Sequence, residues 1–314
     1  MTDTDTSPTG PPVVAIVGPT GTGKSDLGVA LARRIGGEII NADSMQLYRG
    51  MDIGTAKLSP AERGGVVHHL LDIWPLTKSA AVAEYQKLAR AAIADIAGRG
   101  RVPVLVGGSG LYVRATLDRL EFPGESPAIR SRLAAELAEA GPAALHSRLA
   151  RLDPAAAMAI LPSNGRRIVR ALEVIELTGG LFTARMPGFE SIYPTVQIAL
   201  EHPDLENRVR RRVDRMMAAG LLDEVRRLLP LGLRESPTAG KALGYQQLLA
   251  VLDEHGELRG NLDDAVELTV RATWRFVRRQ RSWFRRDPRL RWLDAAAPDV
   301  LDTALALLPA RLGS

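Results

Sequence analysis

The chain of 314 residues contains no cysteine. This absence excludes disulfide bonds, thiolate metal sites and a cysteine nucleophile, so stability has to come from the packed core alone. No run of about 18 apolar residues occurs, and residues 1–12 lack the basic start and apolar stretch of a secretory signal. We therefore expect a cytoplasmic protein that does not enter a membrane, with a disordered leader over residues 1–12.

Lysine is scarce as well, since only five of the 41 basic residues are lysine and the others are arginine. The arginines are clustered: residues 271–291 contain nine against one acid, and residues 208–215 contain five against one acid. Such clusters indicate a polyanionic partner, although a solvated helix face is the alternative reading. With 46% apolar and 25% charged residues, the composition is that of a soluble globular protein.

Short β-branched runs alternate with helical patterns in the first third of the chain. The spacing of apolar residues predicts strands at Val13–Val17, 38–41 and 102–106, and helices at 25–35 and 82–97. Strands that alternate with helices favour a parallel sheet with crossover connections. The predicted fold is therefore α/β, with a core like that of P-loop NTPases in which helices flank a parallel sheet.

The pattern changes from about residue 116, where prolines separate helical segments rich in alanine and arginine. We predict an inserted all-helical domain over residues 116–193, within a core formed by 13–115 and 194–314. The later part of the core is predicted to contain a strand and two long helices: 195–200, 205–229 and 261–286.

The segment GPTGTGKS fits the phosphate-loop pattern G-x-x-x-x-G-K-[ST], and it follows a predicted strand and opens a helix. In such a loop, backbone N–H groups converge on phosphate oxygens and the helix N-terminus adds partial positive charge. Lys24 supplies a full charge, and the Ser25 hydroxyl can bind Mg²⁺. The pattern predicts a di- or triphosphate ligand, usually ATP, held by Gly18, Pro19, Thr20, Gly21, Thr22, Gly23, Lys24 and Ser25.

A carboxylate, Asp43, follows the second predicted strand in the segment NADSMQLYRGMDIGTAK. Residues at the carboxyl ends of parallel strands face the ligand crevice, so Asp43 is expected beside the phosphate loop. Three roles are open for it: a Mg²⁺ ligand, a general base, or a cap for the turn at Ser44.

Eight segments occur in order along nearly the whole chain: the two already quoted, then HHLLDI, VPVLVGGSGLYVRA, NGRRIVRALEVIELTG, RVDRMMAAGLLDEV, KALGYQQL and RRQRSWFRRD. Together they resemble tRNA dimethylallyltransferases of the bacterial type. The resemblance implies transfer of a dimethylallyl group from dimethylallyl diphosphate to N6 of the adenosine on the 3′ side of the anticodon. It further implies Mg²⁺ as cofactor and, as substrates, tRNAs that read codons beginning with U.

The same resemblance implies roles for individual residues. Asp43 would be the general base, with Lys24, Ser25 and Arg208 acting on the diphosphate and Ser25 on the metal. The anticodon arm would be gripped by the helical insertion. The residues expected to contact tRNA are Asp43, Ser44, Met45, Gln46, Ser109, Arg166, Arg167, Gln280 and Arg281. Many relatives carry a second diphosphate arginine where this chain has His202, which leaves Arg212 as the candidate for that place.

Three other readings use parts of the same evidence. A P-loop kinase would employ the phosphate loop, Mg²⁺ and Asp43, and an adenylate dimethylallyltransferase would pass the same donor group to a free nucleotide. A non-enzymatic RNA-binding protein would leave the loop and Asp43 without a task. The basic clusters and the long insertion favour a tRNA substrate, and we expect a monomer without an obligate protein partner.

Overall fold

The computed structural model describes residues 10–182 and 188–310, and the fold is built on a six-stranded parallel sheet within these residues. The sheet order is β3-β2-β4-β1-β5-β6, with every neighbouring pair parallel. The strands are β1 Val13–Val17, β2 Gly37–Asn41, β3 His68–His69, β4 Val102–Gly107, β5 Thr195–Glu201 and β6 Arg291–Asp294.

Eleven α-helices lie in the described part of the chain, together with two short 3₁₀ turns at Leu229–Leu231 and Ala239–Lys241. None of these helices has the length and apolar character needed to cross a membrane. The helices are α1 Lys24–Arg34, α2 Val82–Gly98, α3 Gly110–Leu117, α4 Pro127–Leu152, α5 Pro154–Ala159, α6 Gly165–Thr178, α7 Leu205–Ala218, α8 Leu221–Leu228, α9 Tyr245–Leu249, α10 Leu262–Phe284 and α11 Val300–Ala306.

Both faces of the sheet are covered, which explains why its central strands are apolar throughout. Successive side chains of β1 alternate between two cores: Val13, Ala15 and Val17 face one, and Val14 and Ile16 face the other. The first and larger core includes the packed rings of the tyrosines, and the second lies under α1 and α11. The sheet is thus a buried layer between two layers of helices.

The strand register decides where the loops meet. Val17 of β1 pairs with Gly107 of β4, and Asn41 of β2 pairs with Val106 of the same strand. Three neighbouring strands therefore end at the same level of the sheet. The segments that follow them converge at this carboxyl edge, where ligands of open α/β sheets bind.

The helical insertion forms a compact unit of its own over residues 119–190. Leu133, Leu149 and Leu172 of α4 and α6 are fully buried in a separate apolar cluster. Buried Glu173 accepts hydrogen bonds from Arg130, Arg170 and the Ser126 N–H, and so ties α6 to the start of α4. The unit is held by its own core and by this ionic cluster.

The unit boundaries lie at 119–190, compared with the predicted 116–193. Leu117 is buried in the larger core, and Asp118 is buried and accepts a hydrogen bond from Arg289 at 2.7 Å. On the return, Ser191 pairs with Asp118 in an isolated bridge. These contacts attach three residues at each end of the predicted insertion to the unit that contains the sheet.

One predicted helix is wrong. The pattern over 205–229 forms two helices, α7 and α8, because Gly220 adopts a left-handed conformation with φ 92° and begins a new helix. Of the predicted leader, residues 1–9 lie outside the described residues. Gly10 packs so closely on the Tyr193 ring that a Cβ atom there would lie 2.4 Å from it.

A buried carboxylate locks the start of β2 to its neighbours. Glu38, 3% exposed, accepts hydrogen bonds from both amino groups of Arg99, which follows α2, and lies 2.7 Å from Nε2 of His69 on β3. The hydrogen bonds from Arg99 and from His69 outweigh burial and lower the pKa of Glu38 to about 2. This cluster fixes the edge strand β3, which has only two residues of its own.

We expect Glu38→Gln to lower the free energy of unfolding at neutral pH by about 1–3 kcal/mol, because charged hydrogen bonds of this size are lost. Since the folded pKa of Glu38 is lowered, its contribution is complete above the unfolded pKa of about 4.5 and disappears as pH falls towards 2. Urea unfolding of wild type and variant across this range measures the difference. The control is Glu235→Gln, at an exposed position. A loss of unfolding free energy in Glu38→Gln that does not change with pH would contradict the role assigned to Glu38.

Candidate active site

The phosphate loop, residues 18–25, is shaped by its glycines and by bonds inside the loop. Gly21 and Gly23 have φ near 86° and 88°, and a Cβ at Gly18 would lie 2.6 Å from the carbonyl oxygen of Leu200. The Pro19 carbonyl accepts hydrogen bonds from Thr22 Oγ1 at 2.9 Å and Lys24 Nζ at 2.6 Å. Lys24 is the first residue of α1, so the helix N-terminus opens directly into the loop.

A pocket of about 320 Å³ lies at this carboxyl edge. The phosphate loop lines it on one side, and residues that follow β2 and β4 line it on another. Arg208, Arg212 and Arg215 of α7 complete the lining, since positions i, i+4 and i+7 share one face of a helix. The pocket thus combines the phosphate loop with five cationic side chains, since Lys24 and Lys57 line it as well.

The arginines are held in place by backbone carbonyls. Arg208 donates from Nε to the Gly21 carbonyl at 2.7 Å, and Arg212 donates to the Thr55 carbonyl at 3.3 Å. Arg212 therefore lines the pocket, and its place as the second diphosphate arginine stays a prediction. His202, in contrast, accepts a hydrogen bond from the Asp204 N–H at 3.0 Å and thereby supports the turn before α7.

The surroundings of Lys24 disfavour its charged form. Its pKa is lowered to about 7, first by burial and then by the charge of Arg212, with Asp43 acting in the opposite direction. Burial also lowers the pKa of Arg212. The three carboxylates that line the pocket, Asp26, Asp43 and Glu62, are outnumbered by its cationic side chains, so an anion in the pocket would be bound strongly.

Asp43 is oriented by hydrogen bonds on both sides. Its Oδ1 atom accepts from the Met45 N–H at 2.9 Å, and its backbone N–H and carbonyl are both bound by the amide of buried Asn41. The Asn41 amide also donates to the Leu70 carbonyl at 3.0 Å. The Asp43 carboxylate caps its own turn and also lines the pocket. A capping role is therefore compatible with a role as general base.

The residues predicted to contact tRNA after Asp43 lie together at the same edge. Ser109 Oγ accepts from the Ser44 N–H at 3.2 Å, which joins the GGSG turn (residues 107–110) to the segment of Asp43. Gln46 lines the pocket and donates to the Thr55 carbonyl at 3.2 Å. The Met45 side chain packs against the larger core.

Gln280 and Arg281 were expected to face RNA or the active site, and Gln280 contacts the phosphate loop itself. Gln280 is 5% exposed and both ends of its amide are engaged by backbone groups of the phosphate loop and the GGSG turn. Arg281 forms a two-point ion pair with Glu201 at the end of β5. Both are committed to contacts within the protein. In the helical unit, Arg166 and Arg167 are exposed at the start of α6.

Sequence reasoning missed Glu224, which shapes one wall of the pocket. This carboxylate is 1% exposed and accepts hydrogen bonds from the N–H groups of Asp52, Ile53 and Gly54 and from the Tyr245 hydroxyl. It thereby holds the segment that leads to the pocket residues 55–58. The available signal was its position on the apolar face of α8, between Leu221 and Leu228, where a carboxylate needs partners.

Lys57 was also missed. Its side chain is 3% exposed, and Nζ contacts Asp52 at 2.6 Å, Asp72 at 2.5 Å and the Tyr48 carbonyl at 3.1 Å. Asp72 has φ 57°, an unusual value for a residue other than glycine. The buried cation therefore joins two segments that border the pocket and holds one of them in a strained conformation.

The comparison with protein families decides the relationship of this chain. A profile described as IPP transferase matches residues 46–287. The chain belongs to the IPP transferase family. The matched range covers most of the chain and includes the Gln46, Arg208 and Gln280 positions discussed above.

Relatives of this IPP transferase match its sequence over nearly their full lengths. A tRNA dimethylallyltransferase of Streptomyces avermitilis is 63% identical over 298 residues, which cover 94% of each chain. One of Thermobifida fusca is 64% identical over 303 residues, again 94% of each chain.

Solved structures agree as well. A tRNA isopentenylpyrophosphate transferase of Bacillus halodurans matches 94% of this chain and 95% of its own, with 40% identity and a TM-score of 0.68. A eukaryotic dimethylallyltransferase acting on tRNA matches 94% of this chain and 77% of its own, with 25% identity and a TM-score of 0.77. The core fold predicted from the sequence, a parallel sheet flanked by helices, is confirmed.

The pKa of Lys24 leads to a pH-dependent affinity for diphosphates. Only the charged ammonium attracts the anion, so the KM of wild type for dimethylallyl diphosphate should rise above pH 7, approaching about tenfold per pH unit. Lys24→Arg keeps its charge throughout, and its KM should stay flat even if it is higher overall. Steady-state kinetics from about pH 7 to about pH 9 measure both profiles. Parallel profiles would contradict the role of Lys24.

Proposed function

We propose that this IPP transferase is a tRNA dimethylallyltransferase. It transfers the dimethylallyl group of dimethylallyl diphosphate to N6 of the adenosine on the 3′ side of the anticodon, in tRNAs that read codons beginning with U. The products are N6-dimethylallyladenosine and diphosphate. The observation that carries the proposal is the pocket in which the phosphate loop, Lys24, Arg208 and Arg212 converge opposite the oriented carboxylate of Asp43.

The cationic side of this pocket suits a departing diphosphate. As the allylic C1–O bond breaks, the electron pair goes to the diphosphate oxygen, and negative charge grows there. Donors that are already fixed in place stabilise such charge at no cost in reorganisation. Lys24 and Arg208 are fixed by the Pro19 and Gly21 carbonyls of the loop itself. They act on the leaving group.

The carboxylate side suits the incoming amine. N6 of adenine is barely basic and forms the C1–N6 bond only as it loses a proton. Oδ1 of Asp43 is held by the Met45 N–H, and in the described residues no hydrogen bond occupies Oδ2. Oδ2 accepts the N6 proton, which completes the exchange of the C1–O bond for a C1–N6 bond. A well-placed general base contributes about 10²–10⁴-fold to the rate.

The adenosine has to leave its stack to reach this pocket, because enzymes that act on a base extrude it. Gln46 and the hydroxyls of Ser44 and Ser109 lie beside Asp43 and are the groups we assign to the extruded nucleotide. Arg166 and Arg167 are exposed on the helical unit, and we assign them to phosphates of the anticodon arm. These assignments make tRNA, rather than free AMP, the acceptor.

The donor set fits Mg²⁺ bound together with the substrate. Mg²⁺ takes hard oxygen ligands and usually combines one or two protein oxygens with phosphates and waters. Ser25 lines the pocket, and its hydroxyl has no hydrogen-bond partner within residues 10–182 and 188–310. Nor do those residues contain a group of three His, Asp or Glu side chains able to hold a metal alone. When bound at Ser25, Mg²⁺ would neutralise part of the diphosphate charge.

The remaining assignments follow from the reaction. We propose that one chain supplies the whole pocket and that the enzyme is active as a monomer without an obligate protein partner. We also propose a cytoplasmic location, because the proposed substrate is tRNA.

The decisive experiment incubates the protein with unmodified tRNA, dimethylallyl diphosphate and Mg²⁺, followed by mass spectrometry of the released nucleosides. We expect N6-dimethylallyladenosine in tRNAs with adenosine 3′ to the anticodon, and its loss when EDTA removes the metal. ATP as alternative donor and AMP as alternative acceptor are run in parallel. Phosphate release from ATP without prenylated nucleoside would support a kinase, and prenylated AMP with unmodified tRNA would support the adenylate enzyme.

The role of Asp43 has its own test. Asp43→Asn should lower kcat about 10²–10⁴-fold, because the amide cannot accept the N6 proton. The affinity for tRNA, measured by filter binding, should change by less than about threefold, since the Oδ1 hydrogen bond to Met45 is retained by the amide oxygen. Glu62→Gln removes another carboxylate that lines the pocket and controls for the change in charge. Wild-type turnover in Asp43→Asn would remove the base assignment.

A further inference from the structure

Gln280 connects two segments that are far apart in the sequence. Its Oε1 atom accepts a hydrogen bond from the Thr20 N–H of the phosphate loop at 2.9 Å. Its Nε2 atom donates to the Gly108 carbonyl of the GGSG turn at 2.9 Å. One buried side chain of α10 thus spans the gap between the loops that follow β1 and β4.

The fit around this amide is close. A Cβ atom at Gly108 would lie 2.5 Å from Nε2 of Gln280 and 3.2 Å from the carbonyl oxygen of Gly18. Position 108 therefore has room for glycine only while Gln280 and the phosphate loop stay where they are. The backbone of the turn touches both groups, which leaves little freedom in the distance between them.

The connection continues from the GGSG turn to the general base. Ser109 donates its N–H to the Ala42 carbonyl at 3.2 Å and accepts from the Ser44 N–H at 3.2 Å. Ala42 and Ser44 are the two neighbours of Asp43 in the chain. A continuous set of hydrogen bonds therefore runs from the phosphate loop through Gln280 and Ser109 to the segment that carries Asp43.

We infer that Gln280 is a positioning residue that sets the distance between the phosphate loop and Asp43. The inference rests on the proposed function, in which the loop holds the donor and Asp43 receives the proton of the acceptor. The Thr20 N–H is used to fix the loop through Gln280. Because the two substrates react across this distance, an error of about 1 Å costs about 100-fold in rate.

The test uses Gln280→Met, which keeps the length and volume of the side chain and removes both hydrogen bonds. We expect kcat for tRNA prenylation to fall about 10- to 100-fold, while the KM values for tRNA and dimethylallyl diphosphate change by less than about threefold. The matched control is Thr273→Val, another buried polar residue on the same face of α10, which among the described residues makes no hydrogen bond to either loop. Equal losses of kcat in both variants would show that Gln280 contributes only to packing, and this would overturn the inference.

A second variant, Gln280→Glu, keeps the acceptor for Thr20 and introduces a negative charge beside the diphosphate. It should raise the KM for dimethylallyl diphosphate, an effect that Gln280→Met lacks. Hydrogen exchange of residues 18–23, followed by mass spectrometry, supplies a readout that is independent of activity. Exchange there should be faster in Gln280→Met than in wild type and unchanged in Thr273→Val.

The outcomes separate the two hypotheses. If wild type fails to prenylate tRNA, the proposed function is wrong, and the exchange data still decide whether Gln280 fixes the phosphate loop. If wild type is active and both Gln280 variants retain wild-type kcat, KM and exchange, the positioning role is wrong. A double variant with Ser109→Ala should lose less than the product of the two single losses, since both residues belong to one set of hydrogen bonds.

Discussion

An excess of positive charge at the carboxyl edge of the sheet is the constraint on which the site depends. Lys24, Arg208 and Arg212 are brought together opposite Asp43, in a pocket whose cationic side chains outnumber its carboxylates, and burial makes the charged form of Lys24 costly. Charges gathered in this way destabilise the protein unless an anion offsets them. A bound diphosphate therefore relieves the repulsion among these cations. This electrostatic stabilisation is largest for the departing diphosphate, because it gains negative charge as the C1–O bond breaks.

The fold supplies this arrangement through a small number of local rules. Parallel strands in register end at the same level of the sheet, so the loops that follow β1, β2 and β4 lie next to one another. The arginines come from one face of α7, and the adjacent face, with Val209 and Val213, is buried. Amide and carboxylate side chains then fix the loops, as Glu224 does through three successive N–H groups.

Much of this could be predicted from the sequence, where the pattern was both local and strong. The phosphate loop between an apolar run and an amphipathic helix specified β1, α1 and their ligand class. The strand β3 escaped prediction because two residues carry no periodicity, and it is held by Glu38 and His69. The break at Gly220 was missed because the apolar spacing continues across it.

The same difference between local patterns and distant contacts decides which site residues could be predicted. Lys24 and Asp43 were accessible because a motif or a strand end marks them. Glu224 was missed, and Gln280 was named as a site residue without its partners, because both side chains make contacts 170 or more residues away in the chain. A buried polar residue on an apolar helix face shows that a partner exists, and only the folded structure identifies that partner.

The most direct test is a crystal structure with Mg²⁺ and a thiodiphosphate analogue of dimethylallyl diphosphate, whose leaving group departs poorly. The account predicts both phosphates within the loop of residues 18–25, contacted by Lys24 and Arg208, with C1 of the prenyl chain facing the Asp43 carboxylate. An analogue bound elsewhere, or one whose prenyl carbon points away from Asp43 and leaves no space for an adenine, would contradict it.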